Sequence, residues 1–375
     1  MIKKIAILRA NALGDFIFIL PALQALKDTF PSVEIVLLGK KWHEEYLTNR
    51  PSNVDRVIVV PPYPGVGAAY DYQVDEEELN GFFTEMQTEN FDLAFQFHGG
   101  GKNSNPFMLR LGAKKVIGLK SPVAPKVDVS VPYVLYHSEP MRYLEMVALA
   151  GAKTLNIEPR WQSIPKDLEE LAEVLPDYQN QKIIVLHPGA TDMRRRWPAK
   201  KFAAVADELI NLGFQIAITG TDFEKEVVKE VWDNLQQKNE AFNLCSQLSL
   251  GEMTGLLAIS KLIIANDTGP IHLARALKKP TVGIFWCSNA ITGMPFSVMQ
   301  NRTLISFMVD CPLCGQRIIS PTQIFPPEGD CQHQTCFVDE ITVKQVMDSA
   351  QNLLLQTGAW PENAPVEPID FVNFL

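Results

Sequence analysis

The sequence predicts an α/β protein made of two doubly wound halves that face one another across a cleft. Three observations predict it. Short apolar runs of strand length alternate with longer helical runs, turns of glycine and small polar residues follow several of the apolar runs, and the alternation fades near mid-chain and then restarts. Strands that are apolar throughout, instead of alternating, belong to parallel sheets covered on both faces. At 375 residues the chain is long enough for two cores of ordinary size.

In the first half, residues 5–8 read as a strand, 11–14 as a turn and 15–30 as a helix, with further strands at 33–38, 57–60 and 91–97. Pro159 and Pro165 punctuate the stretch where periodicity is lost, which places a domain of residues 1–160 before one of residues 161–345. The second half repeats the pattern: strands at 183–186, 214–219, 262–265 and 281–285, helices at 201–212, 223–235 and 270–277. Beyond Trp286 it loosens into a cysteine-bearing region, then a helix at 342–355 and a proline-containing tail, so that residues 346–375 form a helix end and surface tail.

Composition narrows the function. A hydrophobic fraction of 46% with 21% charged residues is that of a folded water-facing protein. The formal charge of -9 argues against a general nucleic-acid binder, which needs a basic face to displace counterions. The apolar run after Lys3 and Lys4 is broken by Arg9, too short for a signal peptide or membrane span, and six cysteines are too few for a disulfide-built secreted domain. The expected compartment is the cytoplasm.

Four segments at strand-to-helix turns carry the chemistry. In Asn266-Asp267-Thr268-Gly269-Pro270-Ile271-His272 the unpaired amides and positive dipole of a helix start would bind a diphosphate closely at Thr268 and Gly269, while Asp267 reads equally as an N-cap. His187 to Thr191 is followed by Arg194, Arg195 and Arg196, guanidinium groups suited to the charge on a departing diphosphate or to a solvated basic loop. In Gly220-Thr221-Asp222-Phe223-Glu224 the last carboxylate suits ribose hydroxyls or the helix dipole. Arg9 to Asp15 lacks the glycine spacing of a dinucleotide site and the lysine of a phosphate loop; Asp15 suits either proton abstraction or helix capping. Asn11, His98, Asn103 and Asn105 are candidates to line an acceptor sugar pocket, or to stabilise turns.

Together these segments resemble glycosyltransferase family 9, the bacterial lipopolysaccharide heptosyltransferases. The resemblance rests on L-R-A-N-A-L-G-D-F-I-F-I-L-P-A-L-Q-A-L-K from Leu8, H-P-G-A-T with R-R-W-P, G-T-D-F-E, and N-D-T-G-P-I-H followed by P-T-V-G-I-F, in order over about residues 5 to 345. It implies a GT-B fold, an acceptor-holding first domain and a donor-holding second. It implies Asp15 as catalytic base and Asp267, Thr268, Gly269 and His272 along the donor diphosphate. Thr191, Arg195 and Arg196 would serve the same phosphates, and Glu224 the nucleoside. A lysine usually stands where Arg195 stands here, which keeps the charge and changes its geometry. The implied reaction is inverting displacement from a nucleotide diphosphate sugar, typically ADP-heptose, onto a lipid-linked or oligosaccharide acceptor at the inner membrane surface. No catalytic metal or cofactor is implied, in line with the lack of a D-x-D pair placed to hold one. A nucleotide-sugar epimerase of the same architecture and a non-catalytic nucleotide-binding protein are the competing readings.

Cys311-Pro312-Leu313-Cys314 and Cys331 to Cys336 form two close pairs, with spacing that fits a structural zinc, disulfides or reduced packing thiols. Cys245 and Cys287 are isolated and read as packing thiols.

Overall fold

A computed structural model describes residues 2–317, 331 and 333–366. Residues 367–375 of the tail lie outside the described residues. The chain divides into two compact units, Met1–Pro159 and Arg160–Leu375.

The first unit holds strands β1 (Lys4–Leu8), β2 (Glu34–Gly39), β3 (Arg56–Val59), the two-residue pair β4 (Tyr63–Pro64) and β5 (Gly67–Ala68), then β6 (Leu93–Gln96), β7 (Val116–Lys120) and β8 (Val129–Pro132). Its helices are α1 (Leu13–Thr29), α2 (Lys41–Leu47), α3 (Glu76–Thr88), α4 (Ser104–Leu109) and α5 (Glu139–Ala148). The main sheet runs β3-β2-β1-β6-β7-β8 and every pairing is parallel. Counting only these six strands, the order is 3-2-1-4-5-6, the doubly wound order that leaves a crevice where the winding reverses, here between β1 and β6. Ile5 to Leu8 and Ile35 to Leu38 are fully buried, which is why these strands show no apolar alternation in the sequence.

The second unit opens with α6 (Pro165–Val174) and repeats the plan. Its strands are β9 (Ile183–His187), β10 (Gln215–Ile218), β11 (Ala241–Asn243), β12 (Leu262–Asn266), β13 (Thr281–Trp286) and β14 (Asn301–Ser306). Its remaining helices are α7 (Ala199–Asn211), α8 (Lys225–Asn234), α9 (Leu250–Ile259), α10 (Gly269–Ala276), α11 (Cys287–Gly293) and α12 (Val343–Gln356). The sheet order β11-β10-β9-β12-β13-β14 is again all parallel, with the reversal between β9 and β12.

Differences from the sequence expectations are local. The helix expected at 223–235 begins as a 3-10 turn, Asp222–Glu224, before α8, because Glu224 folds back onto the Thr221 amide. The region beyond Trp286 is not mere loop: β14 extends the sheet, and α12 buries Val346, Ala350, Leu353 and Leu354 in the same core.

Candidate functional site

In the first unit the chain leaves β1 at Leu8 and β6 at Gln96, side by side at the winding reversal. Arg9 follows directly, and its side chain is almost wholly buried. Its Nη2 donates to Asp15 Oδ1 at 2.6 Å, its Nε to Asp15 O at 3.0 Å, and its Nη1 to the Phe97 carbonyl. The guanidinium also lies 3.5 Å from Glu139 Oε2 and 5.0 Å from the Tyr143 ring centroid. Asp15 is the third residue of α1, and its Oδ2 accepts from the Ala12 amide at 3.2 Å, so the carboxylate closes the helix start as well. It nevertheless keeps 34% of its side chain exposed. Closing the helix start therefore does not hide the carboxylate.

The other first-unit candidates separate. Asn11 precedes α1 half-buried, and its Oδ1 is buried without a partner among the described residues, an acceptor left for a ligand or water. His98, at the end of β6, instead accepts from the Ala10 amide with Nδ1 at 3.2 Å and reaches the Gly65 carbonyl with Nε2 at 2.8 Å. Burial, then the Arg9 charge, lowers its pKa to about 4, so the ring is neutral and donates through Nε2. Both nitrogens are spent on backbone. The sugar-pocket role expected of His98 is therefore corrected to one of fastening the Arg9-Ala10 turn. Asn103 likewise donates to the Pro64 carbonyl at 2.9 Å, which fastens the β4-β5 ribbon. Asn105, in α4, does the same for the end of β7 and the turn after it, donating to the Leu119 and Pro125 carbonyls.

In the second unit the switch point lies between His187 and Asn266. Asn266 is buried and staples two loops, accepting from the Trp197 amide at 3.1 Å and donating to the Pro188 carbonyl at 2.8 Å. That staple sets Arg195 beside Asp267. Arg195 Nη1 meets Asp267 Oδ2 at 3.0 Å, and Asp267 Oδ1 meets His272 Nε2 at 3.0 Å. Burial would raise the Asp267 pKa, but His272 and then Arg195 outweigh it and hold the carboxyl below its usual range. Asp267 is thus not the N-cap: Thr268 is, and it makes no side-chain cap bond. The first-turn amides of α10 are placed for an external anion.

Arg194 is taken up by a forked contact with Asp192, at 3.0 and 2.8 Å, and Arg196 donates to the Ala190 carbonyl at 2.8 Å. Thr191 is exposed on the same loop. Arg195 is the member of the run that the structure links to Asp267 and His272. Glu224 Oε2 accepts from the Thr221 amide and hydroxyl, both at 2.9 Å, and Oε1 stands 3.6 Å from His187 Nε2. Burial works against ionisation, yet the bonds from His187 and Thr221 hold this carboxyl at about 2. A Cβ on Gly189 would fall 2.0 Å from Oε1, so any larger residue there would have to displace the Glu224 side chain from these bonds.

Cys311, Cys314, Cys331 and His333 bring their ligand atoms within 4.8 Å of one another. The fourth member is a correction, because His333 takes the place expected of Cys336. Cys336 Sγ instead donates to the Arg196 carbonyl at 3.1 Å, and the next amide, Phe337 N, donates to the Arg194 carbonyl at 2.7 Å. The sequence reading also missed Arg9, His187 and Asn266. Each sits inside a motif already singled out, but only burial reveals that these residues organise it.

The sequence model of glycosyltransferase family 9 (heptosyltransferase) matches residues 81–307. The chain is 25% identical over 294 residues to lipooligosaccharide heptosyltransferase 2 of Haemophilus ducreyi, covering 74% of this chain and 81% of that one. Among solved structures it is similar to a family 9 glycosyl transferase from Veillonella parvula, with a TM-score of 0.75 at 20% identity over 94% of this chain and 98% of that one. It is similar too to the E. coli ADP-heptose lps heptosyltransferase II, with a TM-score of 0.72 at 20% identity over 95% of this chain and 100% of that one. Both neighbours share the GT-B architecture that the paired parallel sheets display. With more than half its length matched by the family model, the chain belongs to glycosyltransferase family 9.

Proposed function

We propose that this protein transfers heptose from ADP-heptose to a hydroxyl of a lipopolysaccharide core acceptor, with inversion at the anomeric carbon and no catalytic metal. The first unit takes the acceptor and the second the donor. The observation that carries the reading is the Arg195-Asp267-His272 chain set at the start of α10. In the reaction Asp15 accepts the proton of the acceptor hydroxyl as its oxygen attacks the anomeric carbon. The bond from that carbon to the diphosphate oxygen breaks, and ADP departs with the electron pair. Arg195 and the first-turn amides of α10 supply the fixed positive charge that stabilises the departing phosphate. Family membership and relatives that are named heptosyltransferases favour transfer over the epimerase and non-catalytic readings.

The test is turnover of purified protein with ADP-heptose and a heptose-deficient core oligosaccharide, with product mass and anomeric configuration read out. Inverted product formed equally well with and without added divalent metal is expected. Preference for a UDP or GDP sugar, or sugar conversion without acceptor, would sink the reading.

The cysteine cluster fits a structural zinc. Zinc-sulfur and zinc-nitrogen bonds of about 2.3 and 2.0 Å imply tetrahedral edges of roughly 3.8 Å between sulfurs and 3.5 Å from sulfur to nitrogen. The corresponding separations are 3.6 Å for Cys314-Cys331, 3.6 Å for Cys311-His333 and 3.2 Å for Cys331-His333. A disulfide would need about 2.05 Å. Zinc held there would brace the chain that runs through Cys336 and Phe337 to the arginine loop. Elemental analysis should find about one zinc per chain, lost in Cys314→Ser together with a fall in melting temperature; free titration of the Cys311, Cys314 and Cys331 thiols and no metal would overturn this assignment.

A further inference from the structure

The opposite edge of the second unit's sheet carries a feature that transfer chemistry does not use. In a parallel sheet all strands begin along one edge, and here β9, β12 and β13 are each preceded by lysine: Lys182, Lys261, and Lys278 with Lys279. The three strands are adjacent and paired in register, Ile184 with Leu262 and Ile263 with Thr281, so the lysines form a row. They line one cavity of about 730 Å³ with Gln300 and the turn around Trp360. Among the described residues Glu362 is the only acid in that lining, in a chain of net charge -9. Lys279 donates to the Ala258 carbonyl at 2.8 Å near the end of α9, an ordinary use of lysine at a helix carboxyl end. No ion pair to Lys182, Lys261 or Lys278 is present among the described residues. Burial, then the Lys261 charge, lowers the Lys279 pKa, as expected where ammonium groups crowd.

Next to this row stands an uncharged apolar segment, Ala290 to Met299, in which Phe296, Val298 and Met299 are 44%, 74% and 80% exposed. It reaches the lysine edge through the Gln300 carbonyl, which accepts from the Thr281 amide at 2.9 Å. The segment is held in place: Asn301 Nδ2 donates to the Ser297 carbonyl at 2.9 Å, and Arg302 to the Val298 carbonyl. Single exposed apolar residues are ordinary; a pinned run of them beside a row of unneutralised lysines is not.

We propose that this edge docks on the surface of an anionic phospholipid bilayer, with the lysines at the headgroup phosphates and Phe296, Val298 and Met299 in the acyl boundary. A soluble phosphate would use only the lysines, and a protein partner recognised by apolar contact would use only the loop. An anionic bilayer uses both. The donor motifs lie at the carboxyl edge of the same sheet, about one strand length or ~17–20 Å away, so docking leaves them open. The proposal rests on the reading that the acceptor is a membrane-held lipopolysaccharide, and its test is independent of turnover.

The experiment is sedimentation of the full chain with phosphatidylcholine vesicles, with and without phosphatidylglycerol. Pelleting is expected only with phosphatidylglycerol and should weaken as salt rises. Lys182→Ala/Lys261→Ala/Lys278→Ala should lower partition roughly a hundredfold, about fivefold for each lysine. Phe296→Ser/Val298→Ser/Met299→Ser should lower it by roughly tenfold or more. Both variants should keep wild-type melting temperature and wild-type turnover with a soluble oligosaccharide acceptor. Several results would overturn the proposal: no pelleting, variants that pellet like wild type, a lysine-dependent thermal shift with pyrophosphate but no vesicle binding, or a dimer abolished by the apolar triple variant. If turnover with ADP-heptose fails while vesicle binding follows the lysines, the transfer reading falls and the docking face stands.

Discussion

Each unit carries one arginine-carboxylate pair at its switch point, and the two are inverted in burial. In the first unit the Arg9 side chain is 2% exposed and that of Asp15 is 34%; in the second Arg195 is 19% exposed and Asp267 is 9%. Ion-pair chemistry is the same in both, so burial decides which partner faces outward. Arg9 is consumed from below by the Phe97 carbonyl, Glu139 and Tyr143, and what it offers is an oriented carboxylate. Asp267 is consumed by His272, and what it offers is an oriented guanidinium. A pair that buries its cation presents a carboxylate, and a pair that buries its anion presents a guanidinium.

The sharpest way to break this comparison is Asp15→Asn. The amide oxygen can still accept from Arg9 or from the Ala12 amide, so shape and capping survive while the proton acceptor is lost. Turnover should fall roughly a hundred- to ten-thousand-fold, the usual contribution of a positioned base. Nucleotide affinity and melting temperature should change little. Near-normal turnover, or loss only through unfolding, would make Asp15 a helix cap alone.

A smaller effect should appear at the inverted pair. Arg195→Ala removes one charge-assisted contact to phosphate, worth about 1.5–3 kcal/mol, and should weaken donor binding roughly ten- to hundredfold. Arg195→Lys should fall between, because it keeps the charge and loses the planar fork. Titration calorimetry with ADP would check this. Arg196→Ala should perturb the loop through the lost Ala190 contact and affect ADP less. If Arg196→Ala is the more damaging, the two arginines exchange roles.

How far the sequence revealed these sites depended on whether their logic is local. The strand-turn-helix segments holding Asp15, Glu224 and Asp267 were legible because a switch point puts chemistry where an apolar run ends. What those residues touch was not, because the partners lie far along the chain: Arg195 to Asp267, Asn266 to Pro188, Arg9 to Glu139. His98 misled for the same reason, since an imidazole at a strand edge suits a sugar hydroxyl until the Ala10 amide and Gly65 carbonyl claim it. At the cysteine cluster like residue types suggested Cys331 with Cys336, whereas geometry paired Cys331 with its near neighbour His333. β14 went unread because half its residues are only partly buried, so the sequence shows no continuous apolar run.

The smallest expected effect concerns acid, and it falls in two pH windows, one set by buried histidines and one by paired carboxylates. In the first unit burial lowers the pKa of His98 to about 4 and of His43 to about 3, against 6.5 in the unfolded chain. Below 6.5 the unfolded state therefore binds protons that the native state refuses, and stability falls as pH drops from 6.5 towards about 4. In the second unit Glu224 behaves as a carboxylate held at about 2 against 4.5 unfolded. Its contribution is fully present above 4.5 and is lost only as pH falls from 4.5 towards 2. Melting curves across pH should show the two windows, and variants assign them. His98→Gln can keep a donor and an acceptor for the Gly65 and Ala10 contacts without titrating, so its slope between 6.5 and 4 should be shallower than wild type. Glu224→Gln should leave that slope alone and make the curve shallower below 4.5, where Glu89 and Asp92 of the first unit, both also held at about 2, keep the rest of the slope. Should His98→Gln follow the wild-type slope, the imidazole must accept its proton without breaking the turn, and the neutral donor assigned to Nε2 would be wrong.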